Sequence, residues 1–223
     1  MSRKEITILE DLLSSNKKIA QDIRLYLKAK NIFSINLMSS PGSGKTSLIE
    51  KLIEELFPKH PIAVIEGDIE TDLDAARIKA KGVPAWSITT GGACHLEARM
   101  IAQVLKEISE PTEFLFIENV GNLVCPASYD LGENLRFVLL SIPEGEDKPL
   151  KYPKAFLTAH CLVITKIDLI GLLSFDLEKV KEEARKINPH LAIFATSART
   201  GQGVKELATY LLYQRKQWLE TNA

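Results

Sequence analysis

Three residues in two short stretches have the chemistry to hold a soft or borderline metal ion. GGACHLEARM (91–100) puts Cys94 directly beside His95, and ENVGNLVCP (118–126) carries Cys125. Thiolate and imidazole suit nickel and zinc. Taken alone, the Cys-His dipeptide is either half of a metal site or a buried thiol beside an ordinary histidine. Cys125 lies four residues past Gly121, a reach of roughly 14 Å at most, so the thiol sits close to any moving part around that glycine. Three ligands fall short of a closed four-coordinate zinc site. The fourth place is open to water, to a carboxylate such as Glu97, or to a group from a second chain. Cys161, heading an apolar run, reads as a core thiol. His60, His160 and His190 lack comparable neighbours and read as structural or solvent-facing.

A second constellation is SSPGSGKTSLIEKL (39–52). Gly44-Lys45-Thr46 completes a Gly-x4-Gly-Lys-Ser/Thr phosphate loop, with Ser39 where the first glycine is usual. Pro41, Gly42, Ser43, Gly44, Lys45, Thr46 and Ser47 are expected to wrap a phosphate, the two glycines taking conformations that other residues resist. Lys45 would bridge the β- and γ-phosphates, and the Thr46 hydroxyl would bind Mg²⁺. The following helix aims its positive end at the same anion. The plain alternative is a glycine-rich turn without a ligand.

TKID (165–168) and TSART (196–200) follow later strands. TKID resembles the guanine-selecting Asn-Lys-x-Asp motif of GTPases, in which a buried carboxylate, here Asp168, would accept both hydrogen bonds from the guanine N1–H and amino group. Adenine lacks that donor pair, so it would leave the carboxylate unpaired. Lys166 would lay its stem along the base, with Thr165 in place of the usual Asn. Ser197 and Ala198 would approach the guanine oxygen through the backbone, with Arg199 standing where Lys is common. GTP is expected rather than ATP. At the γ-phosphate end, EGDIETDLDAAR (66–77) offers Asp68, Asp72 and Asp74. Asp68, nearest the strand end, is the candidate for Mg²⁺ or the attacking water, whereas Asp72 is equally explained as acid in a helix's first turn. In ENVG, Glu118 would meet Mg²⁺ through water and the Gly121 N–H would sense the γ-phosphate. Lys45, Asp68, Glu118 and Gly121 form the expected catalytic set. No glutamine follows Gly121, so slow intrinsic turnover is expected.

These residues need a scaffold. Apolar runs at 32–38, 61–67, 84–88, 113–119, 136–143, 161–166 and 191–195 alternate with helical patterns near 45–56, 72–81, 95–107, 176–187 and 203–217. Near-continuous apolar strands separated by helices predict an α/β fold, a mostly parallel sheet covered on both faces. Residues 5–29 read as an amphipathic helix with Leu9, Leu12, Leu13, Ile19, Ile23 and Leu27 on one stripe. That stripe either packs on the domain edge or docks a partner. The expected division is an N-terminal helix over 1–30 and a P-loop NTPase domain over 31–223.

The chain of 223 residues is 45% hydrophobic, enough for a real core, and its 28 basic and 29 acidic residues leave a net charge of −1. Neither nucleic acid nor an anionic membrane is an expected partner, since both favour a basic face. No signal-type apolar core or spanning segment is present, and three cysteines make no disulfide framework, so a cytoplasmic protein with reduced thiols is expected.

SSPGSGKT, EGDIETDLDAARI, GGACHLEA, ENVGNLVCP and TKID, in this order, closely resemble the HypB family, GTPases that assist nickel insertion into [NiFe] hydrogenase. The resemblance covers nearly the whole chain after the first helix, and CHLEA with ENVGNLVCP is its most specific part. It implies a SIMIBI-class GTPase cycling between GTP and GDP, forming a homodimer when GTP-bound, and holding Ni²⁺ or Zn²⁺ through Cys94, His95 and Cys125. It further implies a zinc-containing HypA-type metallochaperone as partner, with the N-terminal helix as its dock, and a hydrogenase large-subunit precursor as recipient. Some members carry a Cys-x-x-Cys-Gly-Cys or histidine-rich N-terminal tract. This sequence has neither, so their extra nickel site is expected to be absent. Three rival readings differ in chemistry: a metallochaperone GTPase serving urease, a non-hydrolysing metal store, and a small-molecule kinase using ATP.

Overall fold

The computed structural model describes residues 3–70, 72–109 and 111–222, with side chains from residue 11 onward. Helix α1 (Arg3–Ala29) leads into β1 (Phe33–Ser39), α2 (Lys45–Leu56), β2 (Ile62–Asp68), α3 (Leu73–Lys79), β3 (Ala85–Thr89), α4 (Ala98–Leu105) and β4 (Phe114–Glu118). Then follow β5 (Leu135–Ser141), α5 (Lys148–Lys151), α6 (Pro153–Thr158), β6 (Cys161–Thr165), α7 (Leu177–Ile187), β7 (Ala192–Ala195) and α8 (Val204–Asn222). The seven strands form one sheet in the order β3-β2-β4-β1-β5-β6-β7, and every pairing is parallel. It is the α/β fold expected from the alternating pattern.

Strand alternation divides the core into two faces. Leu37, Val64, Phe116 and Leu139 pack against α2, α3 and α8, through Ile49, Leu52, Ile78 and Leu207. Ile65, Leu115 and Ile117 point the other way, onto Ile101 and Leu105 of α4 and Ile23 and Leu27 of α1. The C-terminal half of the α1 stripe is therefore packed within the chain. Leu12 remains 57% exposed, and the Leu9 side chain lies outside the described residues. Val138, Leu140, Leu162 and Ile164 complete the second face against Phe156 of α6 and Val180 of α7. Among the described residues no helix is long and apolar enough to cross a membrane.

Three departures from the sequence pattern have local causes. The run at 136–143 leaves the sheet at Ser141, because Pro143 has no N–H to donate and Ile142–Glu144 instead makes a 3₁₀ turn. The Glu144 carboxylate accepts the Ser141 N–H at 2.8 Å. The helix expected from 95 begins only at Ala98. Its first donor is satisfied from outside, since Ala98 N–H donates to Asn16 Oδ1 of α1 at 2.8 Å. Cys94 and His95 consequently stay on a loop. Helices α5 and α6 lie where no element was expected.

Candidate functional site

β1 ends at Ser39 and α2 starts after Gly44, whose φ of 90° is left-handed and suits glycine alone. Around this turn opens a cleft of about 490 Å³, bordered by Lys45, Thr46, Glu66, Asp68, Glu118 and Gly121 among others. Lys45 Nζ donates to Ser39 Oγ at 3.1 Å and lies 3.7 Å from Glu118 Oε1. Ser39, in the usual glycine place, thus anchors the lysine. Thr46 Oγ1 donates to Glu118 Oε1 at 3.0 Å. Asp68 closes β2 at the rim and accepts the Glu70 N–H at 3.0 Å. The loop is braced from below by Glu144, whose Oε2 lies 2.7 Å from Ser43 Oγ. Sequence reasoning missed this residue.

It also missed Glu66. The β2–β4 register sets Glu66 opposite Glu118, and the two carboxyls are 3% and 5% exposed. Glu66 Oε1 and Glu118 Oε2 are buried without a hydrogen-bond partner. Burial, reinforced by the neighbouring Glu118, pushes Glu66 up to about 10. Burial also raises Glu118, against the pull of Lys45. Two orphaned carboxylate oxygens beside a threonine hydroxyl are hard donors that fit Mg²⁺. The signal was available: an acid inside the apolar strand IAVIEGD shares a face with Asp68.

The Glu66 carboxyl stays protonated to about pH 10 in the folded chain but titrates near 4.5 when unfolded. The folded state holds the extra proton, so this group weakens folding increasingly from pH 4.5 upward. Glu66→Gln, which cannot ionise, is expected to raise the Tm of the Mg²⁺- and nucleotide-free protein by about 10 °C at pH 8. Thermal melts from pH 5 to 9 check the sign: the gain over wild type widens with pH, and a constant gain would refute it.

A second cleft of about 450 Å³ adjoins the first across Gly44, Ser47 and Lys166, and is bordered by Asp168, Ala198 and Arg199. Thr165 Oγ1 donates to Ser43 O at 2.6 Å, so the hydroxyl ties this loop to the phosphate loop without the usual Asn. Lys166 adopts a φ of 59° and donates to Gly42 O at 2.7 Å, carrying its stem past Gly44. One Asp168 oxygen accepts from Ser197 Oγ at 2.5 Å.

Cys94 and His95 lie on the loop between β3 and α4, and Cys125 on the loop after β4. Asn122 Nδ2 joins the two loops by donating to Cys94 O at 3.3 Å. Cys94 Sγ lies 3.0 Å from Cys125 Sγ and 3.8 Å from His95 Nδ1, and one ligand atom from each residue falls within 4.8 Å of the others. Among the described residues this is the one such cluster. Burial holds the His95 imidazole below its ordinary range, favouring the neutral ligand form. Its ring stacks on Tyr129 with centroids 3.8 Å apart. Glu97 sits on the Nε2 side, at 3.9 Å, where Arg99 holds it at 2.6 Å. It is not a member of the close ligand group. The Cys125 thiol is raised by its hydrogen bond with Cys94 and by burial. A cation between the sulfurs reverses that preference, and this S₂N set suits nickel or zinc. Cys161 is fully buried in the core. His60 pairs with Glu113 at 2.9 Å, His160 accepts the Arg136 N–H at 2.9 Å, and His190 is exposed.

The family profile described as CobW/HypB/UreG, nucleotide-binding domain, matches residues 33–195. The chain is 48% identical to the hydrogenase maturation factor HypB of Azotobacter vinelandii, over 94% of this chain and 70% of that protein. It is 44% identical to the hydrogenase/urease maturation factor HypB of Helicobacter hepaticus, over 97% and 91%. The crystal structure of HypB from Helicobacter pylori in complex with nickel superposes with a TM-score of 0.87 at 42% identity, covering 91% of this chain and 96% of that one.

Proposed function

Because the chain belongs to the HypB group of the CobW/HypB/UreG family, we propose that it is a nickel-delivering GTPase of [NiFe]-hydrogenase maturation whose metal affinity is set by the nucleotide. The observation that carries this reading is the continuity of residues 118–125. The segment begins against Thr46 and Lys45 and ends on a thiol of the metal cluster.

In this reading residues 41–47 bind the GTP phosphates, while Lys166, Asp168, Ser197 and Ala198 hold guanine. Mg²⁺ at Thr46, Asp68 and Glu118, with Glu66 alongside, would neutralise charge on the phosphates when bound. Lys45 steadies the bridging oxygen and Asp68 orients the attacking water. The water oxygen bonds to the γ-phosphorus as the bond to the β–γ bridging oxygen breaks, giving GDP and phosphate. Turnover is slow for want of a glutamine beyond Gly121. Two GTP-bound chains pair, and movement of Cys125 with the 118–121 loop alters the geometry around nickel or zinc held also by Cys94 and His95. In the cytoplasm a HypA-type metallochaperone docks on α1, and the hydrogenase large-subunit precursor receives the nickel. The paired name of the Helicobacter hepaticus relative makes a urease apoprotein the second recipient to assay.

Ni²⁺ and Zn²⁺ titrations with GDP and with a non-hydrolysable GTP analogue, beside phosphate-release assays and gel filtration, test the proposal. Nucleotide-dependent metal affinity, phosphate release lost in Lys45→Ala, and an analogue-induced dimer support it. Tight metal binding without phosphate release points instead to a store.

A further inference from the structure

Besides the Asn122 tie to Cys94, the metal loop and the nucleotide loop meet at a buried amide that neither ligand set includes. Asn119 is 0% exposed and follows Glu118. Its Oδ1 accepts the Leu96 N–H at 3.1 Å, one residue past His95. Its Nδ2 donates to Asn36 Oδ1 at 3.2 Å. Asn36 in turn donates to Glu133 Oε1 at 3.3 Å, and Glu133 receives Arg136 Nε at 2.7 Å. Arg136 also donates to Tyr129 O at 3.2 Å, and the Tyr129 ring covers His95. Asn119 thus reaches His95 from two sides, through Leu96 and through Tyr129.

Little slack exists at either end. Leu96 is 0% exposed and packs on Gly67, between Glu66 and Asp68; a Cβ on Gly67 would stand 2.8 Å from its Cδ atoms. A Cβ on Gly121 would stand 2.9 Å from Pro41 Cα. Close-packed interiors pass such displacements on rather than absorb them. We propose that Asn119 is the positioning residue through which the nucleotide cleft and the thiol–imidazole cluster respond to each other, by holding Leu96 and hence His95 in register with Glu118. The claim rests on the reading that nucleotide sets metal affinity.

The test is the ratio of Ni²⁺ dissociation constants with GDP and with a non-hydrolysable GTP analogue, in the full chain, for wild type and Asn119→Ala. Couplings of this kind run from about 5- to 150-fold. The expected result is a wild-type ratio of about tenfold or more, falling at least about threefold in the variant, with the remainder carried by Cys125 on the 118–125 segment. By reciprocity, the Ni²⁺ effect on the preference for analogue over GDP should fall equally. An unchanged ratio in the variant overturns the role of Asn119 while leaving nucleotide control of metal intact. Weaker Ni²⁺ binding by one factor in both nucleotide states also overturns it, leaving Asn119 a mere support. A wild-type ratio of one overturns this proposal together with the coupling it rests on. Should Asn119→Ala fail to fold, as judged by GDP binding and circular dichroism, Asn119→Leu replaces it. That variant removes the amide's bonds to Leu96 and Asn36 without opening a cavity, and the same fall in the ratio is expected.

Discussion

Cys94→Ala/Cys125→Ala is expected to lose Ni²⁺ and Zn²⁺ binding by a factor of about 10³ or more while GTP affinity stays within about threefold of wild type. Two of the three clustered ligand atoms are removed. A complete four-ligand zinc site is worth about 10–16 kcal/mol, roughly 3 kcal/mol per ligand, and each 1.4 kcal/mol is tenfold. His95 alone cannot recover that loss. Both cysteines are only partly buried and free, so alanine leaves no large cavity, and neither borders the nucleotide clefts. Calorimetric titration of metal and nucleotide into both proteins is the check. Metal binding equal to wild type would return Cys94-His95 to a thiol beside a histidine. The wild-type affinity should also strengthen as pH rises, because the Cys125 thiol is raised and must shed its proton to ligate.

The second large effect concerns the base. Asp168→Asn replaces a carboxylate by an amide, so the position proposed to accept from the guanine amino group would present a donor beside an acceptor. GTP affinity is expected to fall by about 10²-fold or more, since a charged hydrogen-bond pair is lost and a donor faces a donor. Xanthosine triphosphate, which carries a carbonyl where guanine has the amino group, should bind better to the variant than to wild type. Ser197 can still donate to the amide oxygen in place of Asp168 Oδ1, so the loop stays anchored. Competition binding with GTP, xanthosine triphosphate and ATP measures the switch. Undiminished GTP affinity would remove Asp168 from the base site.

Much of the scaffold was legible because interior parallel strands must be apolar on both faces. FLFIE and CLVIT announce themselves, and their helices repeat at the right spacing. The segment containing α5 and α6 did not, since its prolines cut it into turns too short to show a period. The phosphate loop and the Cys94–His95–Cys125 set were legible as motifs, and the fold brings each together. What stayed hidden depends on register. Glu66 becomes notable only when β2 lies beside β4 and sets it against Glu118. Glu144 becomes notable only when the 3₁₀ turn after β5 reaches Ser43, and Tyr129 only when its ring meets His95.

The two faces of β4 have a consequence for which insertions and deletions the chain can survive. Glu118 belongs to the face packed on α2, and Asn119 turns to the face shared with α1 and α4. Because successive side chains alternate, a slip of one residue exchanges the faces. It would drive the amide into the nucleotide cleft and the carboxylate under the metal loop. Length changes within β4 would therefore disturb both clefts at once, and the spacing of this strand is constrained as tightly as its residue types.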